Sequence, residues 1–188
     1  MNMSKKEGES RKLLIVLGES GTGKSTLVAA VCKNFPHLKE ILSTLTRPIR
    51  DGERDGIDAI FLSKERYEQM LDEGLFLTDV CHFGNHYGYQ KALVEEGNVL
   101  HCIPSTMLEL KEKLPDRTII TVQLVFSEDP EEAQKIRLYR LSGDESRLSR
   151  VEKEASLYSN LEVDYTLVNK EIPDFLENAL FLAKLMQE

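Results

Sequence analysis

The sequence predicts an α/β fold of three layers, in which a parallel core sheet lies between two layers of helices. Strand-like and helical segments alternate along most of the 188 residues, and this pattern is typical of a parallel sheet covered on both faces. The first strand, residues 12–17, is continuously apolar, as expected for a strand buried on both sides. A helix follows from Lys24 to Asn34 and ends before Pro36.

Residues 18–25, between this strand and this helix, fit the pattern G-x-x-x-x-G-K-[ST] and are called the P-loop below. The glycines let backbone N–H groups point inward and form an anion cradle, and the helix N-terminus adds a partial positive charge. Lys24 brings a full charge to the outer phosphates, and Ser25 offers its hydroxyl to Mg²⁺. A glycine-rich turn that only caps a helix is the alternative, but it does not account for the Lys-Ser pair. The predicted triphosphate-binding residues are Gly18, Glu19, Ser20, Gly21, Thr22, Gly23, Lys24, Ser25 and Thr26.

The composition excludes several classes of function. A formal net charge of −8 disfavours nonspecific binding to nucleic acid or to acidic membranes. No apolar run approaches the length of a membrane span. The three cysteines are scattered and lack C-x-x-C spacing, which suits free thiols in the cytoplasm and not a disulfide framework or a zinc site. Residues 1–10 are polar and lack the apolar segment of a signal peptide, so we expect a disordered tail.

The segment from residue 44 to residue 89 interrupts the alternation and indicates a β-rich insertion. A short strand at 40–42 leads into a charged, turn-rich loop at 47–56. The elements predicted after it are a strand at 57–62, a helix at 64–72 capped by Ser63, a strand at 75–83, a Gly84-Asn85 turn and a returning strand at 86–89.

The α/β alternation resumes after the insertion. We predict helices at 91–96 and 105–113, strands at 99–103, 118–126 and 163–168, and a helical stretch from Ala133 to Tyr158 that is interrupted at residues 142–144. Asp129 and Pro130 form its capped start. The last helix, residues 172–186, is amphipathic, with one side predicted to carry Phe175, Leu176, Ala179, Leu182 and Leu185.

Three further motifs accompany the P-loop in a fixed order. They stand as STLTRPIRDGE from Ser43 to Glu53, GNHYG from Gly84 to Gly88 and DYTLVN from Asp164 to Asn169. With these motifs the chain resembles the guanylate kinase family over residues 12–187. The resemblance implies a P-loop NTPase-type core made of residues 11–43, 90–127 and 161–188, an acceptor-binding insertion at 44–89 and a helical lid at 128–160.

The resemblance also implies an activity: transfer of a phosphoryl group from ATP to GMP with Mg²⁺, giving ADP and GDP. Arg47, Arg50 and Tyr87 would bind the acceptor phosphate, Ser43 would bind the base, and Glu53 would orient the arginines. The residues agree with this, because two guanidinium groups three positions apart on one loop could both bind one phosphate. A solvated charged loop is the alternative, and the neighbouring P-loop and tyrosine hairpin weigh against it.

The lid of the family carries arginines that close over the transferring group. The resemblance implies that Arg137, Arg140 and Arg147 act there, with Lys24 and Arg47 as the other catalytic residues. The segment between the two arginine groups is a few residues shorter here than is usual in the family. The assignment of the lid role to Arg137 or to Arg140 therefore stays open. The alternative is a set of surface ion pairs with nearby glutamates, namely Glu131, Glu132, Glu145 and Glu152. Asn169 would lie near the adenine of ATP, or would be a simple turn residue.

Three positions depart from the family pattern. Thr78 stands where the family has a glutamate that binds the guanine edge, and by this position we predict it to be an acceptor-binding residue. Asp79 is expected on the opposite strand face unless the register slips. Ala59 replaces a phosphate-binding tyrosine, and the strand before Ser105 ends without the usual aspartates.

These departures keep two alternatives open: a different phosphorylated acceptor, as in ribose-bisphosphate phosphokinase, or a binding module of the same fold without catalysis. The intact P-loop argues against the second alternative. His82, His86 and His101 are interpreted as structural, because this phosphoryl transfer needs no imidazole. The expected partners are small-molecule nucleotides, and the expected state is a monomer or a homodimer.

Overall fold

A computed structural model describes residues 11–143, 148 and 151–187, with only the backbone described at positions 151 and 152. The predicted tail at 1–10 and the predicted lid residue Arg147 lie outside the described residues.

The described strands and helices follow the predicted order. The strands are β1 (Leu13–Gly18), β2 (Thr44–Leu45), β3 (Ile60–Phe61), β4 (Phe76–His82), β5 (Asn85–Gln90), β6 (Val99–His101), β7 (Ile119–Val125) and β8 (Tyr165–Val168). The helices are α1 (Lys24–Asn34), α2 (Lys64–Asp72), α3 (Lys91–Glu96), α4 (Pro104–Lys113), α5 (Pro130–Arg140), α6 (Val151–Tyr158) and α7 (Ile172–Leu185). None of these helices has the length and apolar character that crossing a bilayer would require.

The core sheet is parallel and has the strand order β6-β1-β7-β8. Strand β1 is wholly buried because its side chains alternate between two apolar layers. On one face, Leu14 and Val16 pack with side chains of α1 and α7. On the other face, Leu13, Ile15 and Leu17 pack with side chains of α3 and α4. The predicted three-layer α/β/α fold is therefore confirmed, with β1 at its centre.

A second sheet, with the order β3-β2-β5-β4, lies within the predicted insertion. Strands β4 and β5 form an antiparallel hairpin that turns at Phe83 and Gly84, both of which have positive φ angles. Strand β2 pairs with β5, so Leu45 lies opposite Tyr87. Helix α2 begins after Ser63, whose hydroxyl accepts from the Arg66 N–H as predicted, and packs Tyr67 against Phe76 at a ring distance of 4.4 Å.

Three sequence predictions are wrong in detail. Residues 40–42 form no strand: Glu40 makes one isolated bridge to Val99, and pairing begins only at Thr44. The strand predicted at 57–62 shortens to Ile60–Phe61, because the N–H groups of residues 57 and 58 both turn back to the Arg54 carbonyl. On α7, Leu176 is 58% exposed, since six helical positions rotate it by roughly 120° from the buried Leu182.

Candidate active site

The P-loop connects the end of β1 to the start of α1, as its sequence predicts. Gly18 has a φ of +147°, and a Cβ at this position would lie 2.6 Å from the Leu124 carbonyl oxygen, so only glycine fits. The loop is closed by Thr22, whose hydroxyl donates to the Glu19 carbonyl oxygen over 2.8 Å. The result is a fixed turn held against strand β7.

The first turn of α1 is open to a ligand. Gly23 caps the helix without a side-chain hydrogen bond, and the first turn contains no acidic residue. The backbone N–H groups there carry the partial positive charge of the helix terminus, which favours an anion. Lys24 Nζ lies over the loop, where it donates to the Glu19 carbonyl oxygen at 2.9 Å. The residues present therefore fit a bound triphosphate.

A cavity of about 390 Å³ opens at this helix terminus. We call it the central cavity. Its wall on the P-loop side is formed by Ser20, Gly21, Gly23, Lys24, Ser25 and Thr26. Its wall on the insertion side includes Ser43, Arg47, Arg50, Glu53 and Tyr87. The structure thus brings most of the predicted triphosphate-binding and acceptor-binding residues to one cavity.

Glu53 holds the two arginines of the insertion loop in place. Its carboxylate accepts two hydrogen bonds from the Arg47 guanidinium, at 2.7 and 2.6 Å, and one from the Arg50 N–H at 2.9 Å. Burial alone would raise the pKa of Glu53, but these hydrogen bonds and the charge of Arg47 outweigh it and lower the pKa. Arg47 also lies over the Phe61 ring, 5.3 Å from its centre. The guanidinium is therefore fixed before any ligand arrives.

Tyr87 reaches the cavity from strand β5 of the hairpin. The hairpin is supported from behind by Asp79, whose carboxylate accepts from the Tyr67 hydroxyl at 2.8 Å and lies 3.0 Å from Nδ1 of His86. These contacts confirm a structural place for His86. They also show which way Asp79 faces: toward helix α2 and His86.

Thr78 does not reach the central cavity. Its side chain is fully buried, and its hydroxyl accepts the N–H of Tyr89 at 3.3 Å. The pairing of β4 with β5 shifts register between Phe76 and Thr78, so the register slip considered in the sequence analysis is present. It does not turn Asp79 toward the cavity, because the Asp79 carboxylate contacts Tyr67 and His86. The structure therefore brings neither Thr78 nor Asp79 to the acceptor, and direct binding by Thr78 has no geometric support.

Arg137 of helix α5 bridges two carboxylates beside the P-loop. Its guanidinium donates to Glu19 Oε1 at 2.7 Å and to Glu154 Oε2 at 2.5 Å, and its side chain is 1% exposed. Glu154, on helix α6, also accepts from the N–H and the hydroxyl of Ser20, at 3.1 and 2.9 Å. Burial raises the pKa of Glu19, against the opposing effect of Arg137. Sequence reasoning missed Glu154, and no local spacing points to it.

Arg140 lies one turn further along α5. It donates to the Gly21 carbonyl oxygen at 3.4 Å and to the carbonyl of Lys170, and its guanidinium lies over the Phe126 ring. The nearby Glu132 pairs with Lys170 at 2.6 Å. The partners described for Arg137 and Arg140 are therefore not the surface glutamates of the alternative interpretation, in which these arginines form surface ion pairs.

Asn169 lies behind the P-loop, where its side-chain amide donates to the Thr22 carbonyl oxygen at 2.6 Å. Asn178 of α7 donates in turn to the Asn169 side chain and to the Val168 carbonyl. Asn169 is buried and does more than turn the chain: it attaches the end of β8 to the loop. A contact with adenine stays a prediction.

The remaining wall of the cavity comes from the end of β6. Here His101, Cys102 and Ile103 occupy the positions where the sequence lacked aspartates. Burial, with the nearby charge of Lys24, lowers the pKa of His101 to about 4, so its imidazole is neutral. Glu40 Oε1 lies 4.0 Å from His101 Nε2, and burial raises the pKa of this carboxyl to about 7.

A strand, a glycine-rich loop ending in Lys-Ser and an uncapped helix terminus, all opening on one cavity, define a P-loop nucleotide-binding protein. The guanidinium groups of Arg47 and Arg50, on the opposite wall of the cavity, distinguish a phosphotransferase-type site from a simple nucleotide pocket.

Comparisons with known proteins identify the family within this class. A sequence model of guanylate kinase matches residues 10–185. The guanylate kinase of Chlorobium luteolum is 34% identical over 92% of this chain and 90% of its own length. That of Desulfitobacterium hafniense is 33% identical over 94% and 92%. The crystal structure of guanylate kinase from Anaplasma phagocytophilum has the same fold, with a TM-score of 0.67 at 19% identity, and the match covers 95% of this chain and 86% of that one. The chain therefore belongs to the guanylate kinase family.

Proposed function

We propose that the protein transfers the γ-phosphoryl group of ATP to GMP in the presence of Mg²⁺ and releases ADP and GDP. One observation carries the proposal: the P-loop and the Arg47–Arg50–Tyr87 group line the same cavity. Two anionic substrates held on opposite walls are brought within reach of each other, and phosphoryl transfer depends mainly on such alignment and on charge neutralisation.

The roles of the residues follow from their places on the wall. The P-loop N–H groups and Lys24 bind the β- and γ-phosphates, and Ser25 provides one hydroxyl ligand for the metal. Mg²⁺ needs few protein ligands, so this single hydroxyl would suffice to hold it, and the metal would supply positive charge to the phosphates. Arg47, Arg50 and Tyr87 hold the acceptor phosphate so that its oxygen attacks the γ-phosphorus as the bond to the β-phosphate oxygen breaks.

The remaining assignments belong to the same proposal. Residues 44–89 form the acceptor-binding insertion and 128–160 the lid, with Arg137, Arg140 and Arg147 as its arginines and Asn169 on the adenine side. Arg137 already links α5 and α6 to the P-loop, which supports a lid attached to the triphosphate site. We place the protein in the cytoplasm, as a monomer or homodimer; the free thiols of Cys32, Cys81 and Cys102 support that location.

A coupled assay of ADP formation from Mg-ATP and GMP tests the proposal. Replacement of Lys24 by alanine removes the charge that neutralises the transferring group, and we expect kcat/KM to fall about 10²- to 10³-fold. The matched control is Lys33→Ala, which removes the same charge from the other end of α1, far from the cavity; its activity should stay within about twofold of the parent protein. Absence of turnover with GMP in the unmodified protein would refute the proposal.

A further inference from the structure

A cluster of charged and polar side chains joins the P-loop to helices α5 and α6. Its members are Glu19 and Ser20 of the P-loop, Arg137 of α5 and Glu154 of α6. Arg137 is 1% exposed and Glu154 is 8% exposed. A charge taken so far out of water is tolerated only when an opposite charge and hydrogen bonds replace its hydration. Glu154 therefore depends on its partners to stay where it is.

Glu154 binds one residue of the P-loop with both of its carboxylate oxygens. Its Oε2 accepts the Ser20 N–H at 3.1 Å, and its Oε1 accepts the Ser20 hydroxyl at 2.9 Å. The Arg137 guanidinium donates to the same Oε2 at 2.5 Å. Hydrogen bonds to a charged group are roughly twice as strong as bonds between neutral groups. The position of Ser20 is therefore set by helix α6 as well as by the loop itself.

The contacts continue from Ser20 to the lysine of the P-loop. The carboxylate of Glu19, the preceding residue, accepts from Arg137 at 2.7 Å, and the Glu19 carbonyl oxygen accepts from Lys24 Nζ at 2.9 Å. A shift of residues 19 and 20 would therefore move the carbonyl group that binds the Lys24 ammonium. Ser20, Lys24 and Glu154 line the central cavity, so this series of contacts ends at the predicted triphosphate site.

Two other roles for Glu154 fit the contacts less well. As an anion on a P-loop N–H, it could compete with the triphosphate, but a competitor must leave, and departure would separate a buried carboxylate from Arg137. As part of a structural ion pair alone, it would need Arg137 but not the two donors of Ser20, a residue that lines the cavity. The contacts therefore favour a role in holding the loop.

We propose that Glu154 is a positioning residue for the triphosphate: it acts through Ser20 and Glu19 to hold the P-loop and the Lys24 ammonium in the conformation that binds ATP. This inference rests on the proposed function, because it concerns the site that the proposal gives to ATP. Displacement of a binding group by about 1 Å can cost a factor of about 10² even when the substitution is remote. A small change in the reach of Glu154 is therefore expected to be measurable.

The test shortens Glu154 and keeps its charge. Glu154→Asp withdraws the carboxylate by roughly the length of one C–C bond, so it loses hydrogen bonds to Ser20 while the negative charge stays beside Arg137. We expect the Kd for Mg-ATP, measured by calorimetry with the full chain, to rise about tenfold. The Kd for GMP should stay within about twofold, because Arg47 and Arg50 lie on the opposite wall.

A matched control makes the same chemical change outside the cluster. Glu162→Asp alters an exposed side chain between α6 and β8 and should leave both Kd values within about twofold of the parent protein. Three results with Glu154→Asp would overturn the inference. Unchanged ATP affinity would indicate a structural ion pair alone, tighter ATP binding would indicate a competitor, and equal weakening of ATP and GMP binding would indicate damage to the fold.

Ser20→Ala tests whether Glu154 acts through Ser20. The variant removes the hydroxyl contact but keeps the N–H contact and the ion pairs of Arg137, so it should weaken ATP binding less than Glu154→Asp does. The double variant should bind Mg-ATP about as weakly as Glu154→Asp alone, because substitutions that remove the same contact are not additive. If the two factors multiplied, Glu154 would act by another route and the inference would fail.

These measurements also separate the inference from the proposed reaction. Every readout is a binding constant, so it does not depend on turnover of GMP. If the parent protein bound Mg-ATP without phosphorylating GMP, the proposed reaction would be refuted, whereas weaker ATP binding in Glu154→Asp would still support the positioning role.

Discussion

The guanidinium of Arg47 is held in position by one neighbouring side chain, that of Glu53. Three hydrogen bonds from the loop converge on Glu53, and the carboxylate in turn fixes Arg47 over the Phe61 ring. Such preorganisation reduces the side-chain entropy that binding would otherwise cost. We therefore expect Glu53 to act on the acceptor through Arg47 and not by direct contact.

Replacement of Glu53 by glutamine tests this role. The amide keeps the shape but loses the charge and one acceptor oxygen, so we expect KM for GMP to rise about tenfold with the Kd for ATP unchanged. Glu68→Gln makes the same chemical change on the exposed face of α2 and serves as the control. An equal loss of ATP affinity in Glu53→Gln would show general damage to the fold instead of loss of orientation.

A pair of titrating groups at the edge of the core predicts a pH dependence of stability. Burial, with the charge of Asp58, raises the pKa of Glu40 from 4.5 to about 7, so the folded protein keeps a proton there that the unfolded chain releases. Stability from Glu40 is therefore lost as pH rises through this window. The lowered pKa of His101 has the opposite effect. Below the ordinary histidine pKa the unfolded chain binds a proton at His101 that the folded protein does not, so stability from His101 increases as pH rises through this window.

Glu40→Gln removes the pH dependence of stability that comes from Glu40 and leaves the one that comes from His101. The free energy of unfolding of the variant minus that of the parent protein should increase by about 2 kcal/mol from about pH 5 to about pH 8. Urea titrations at the two pH values measure the difference, with Glu68→Gln as a control that should show no pH-dependent gain. Asp58, His101, Cys32 and Tyr89 also interact with Glu40, and they are unchanged in both variants. A gain that is equal at both pH values would contradict the raised pKa.

At the scale of elements, the P-loop is held by three pieces of chain that are distant in sequence. Strand β8 reaches it through Asn169, helix α5 through Arg137 and helix α6 through Glu154. The two helices belong to the predicted lid, so their ion pairs connect lid position to loop geometry. Because Arg137 and Glu154 are buried and Glu19 is partly buried, the guanidinium stabilises this arrangement only while the pairing is complete.

Arg137→Met keeps much of the apolar stem but leaves Glu19 and Glu154 without their shared cation. Breaking a buried pair of this kind costs about 3 to 5 kcal/mol, so we expect a loss of that size in urea titrations. Arg140→Met removes a cation from an exposed position on the same helix and should cost no more than about 1 kcal/mol. If Arg137→Met unfolded at the same urea concentration as the parent protein, the ion pairs would not support the fold.

Across the whole molecule, sequence reasoning succeeded where the determinants are local. The bounds of α1 and α2 and the glycine-rich loop follow from neighbouring residues, and the structure has them where they were predicted. The hairpin turn lies one residue earlier than predicted, at Phe83 and Gly84, because Asn85 already pairs with His82. Sequence reasoning failed where a partner lies far along the chain: Ser20 and Glu154 are 134 positions apart, and Glu19 and Arg137 are 118 apart. The pairing of β4 with β5 shifts register between Phe76 and Thr78, which alternation alone does not reveal.

The distribution of charge over the molecule leads to a final prediction. The net charge is −8, so the protein as a whole repels an anionic nucleotide, and binding depends on the local cations and P-loop N–H groups of the cavity. A ligand that binds only the folded state at about 100 times its Kd stabilises by about 2.7 kcal/mol, which raises Tm by roughly 5 to 10 °C for a chain of this size. We expect Mg-ATP and GMP each to give such a shift, and the two shifts to be separable by substitution. Lys24→Ala should abolish the shift with Mg-ATP and keep the shift with GMP, whereas Arg50→Ala should do the reverse. Loss of both shifts in either variant would mean that the two walls of the cavity do not bind independently, and that one anion must be in place before the other is held.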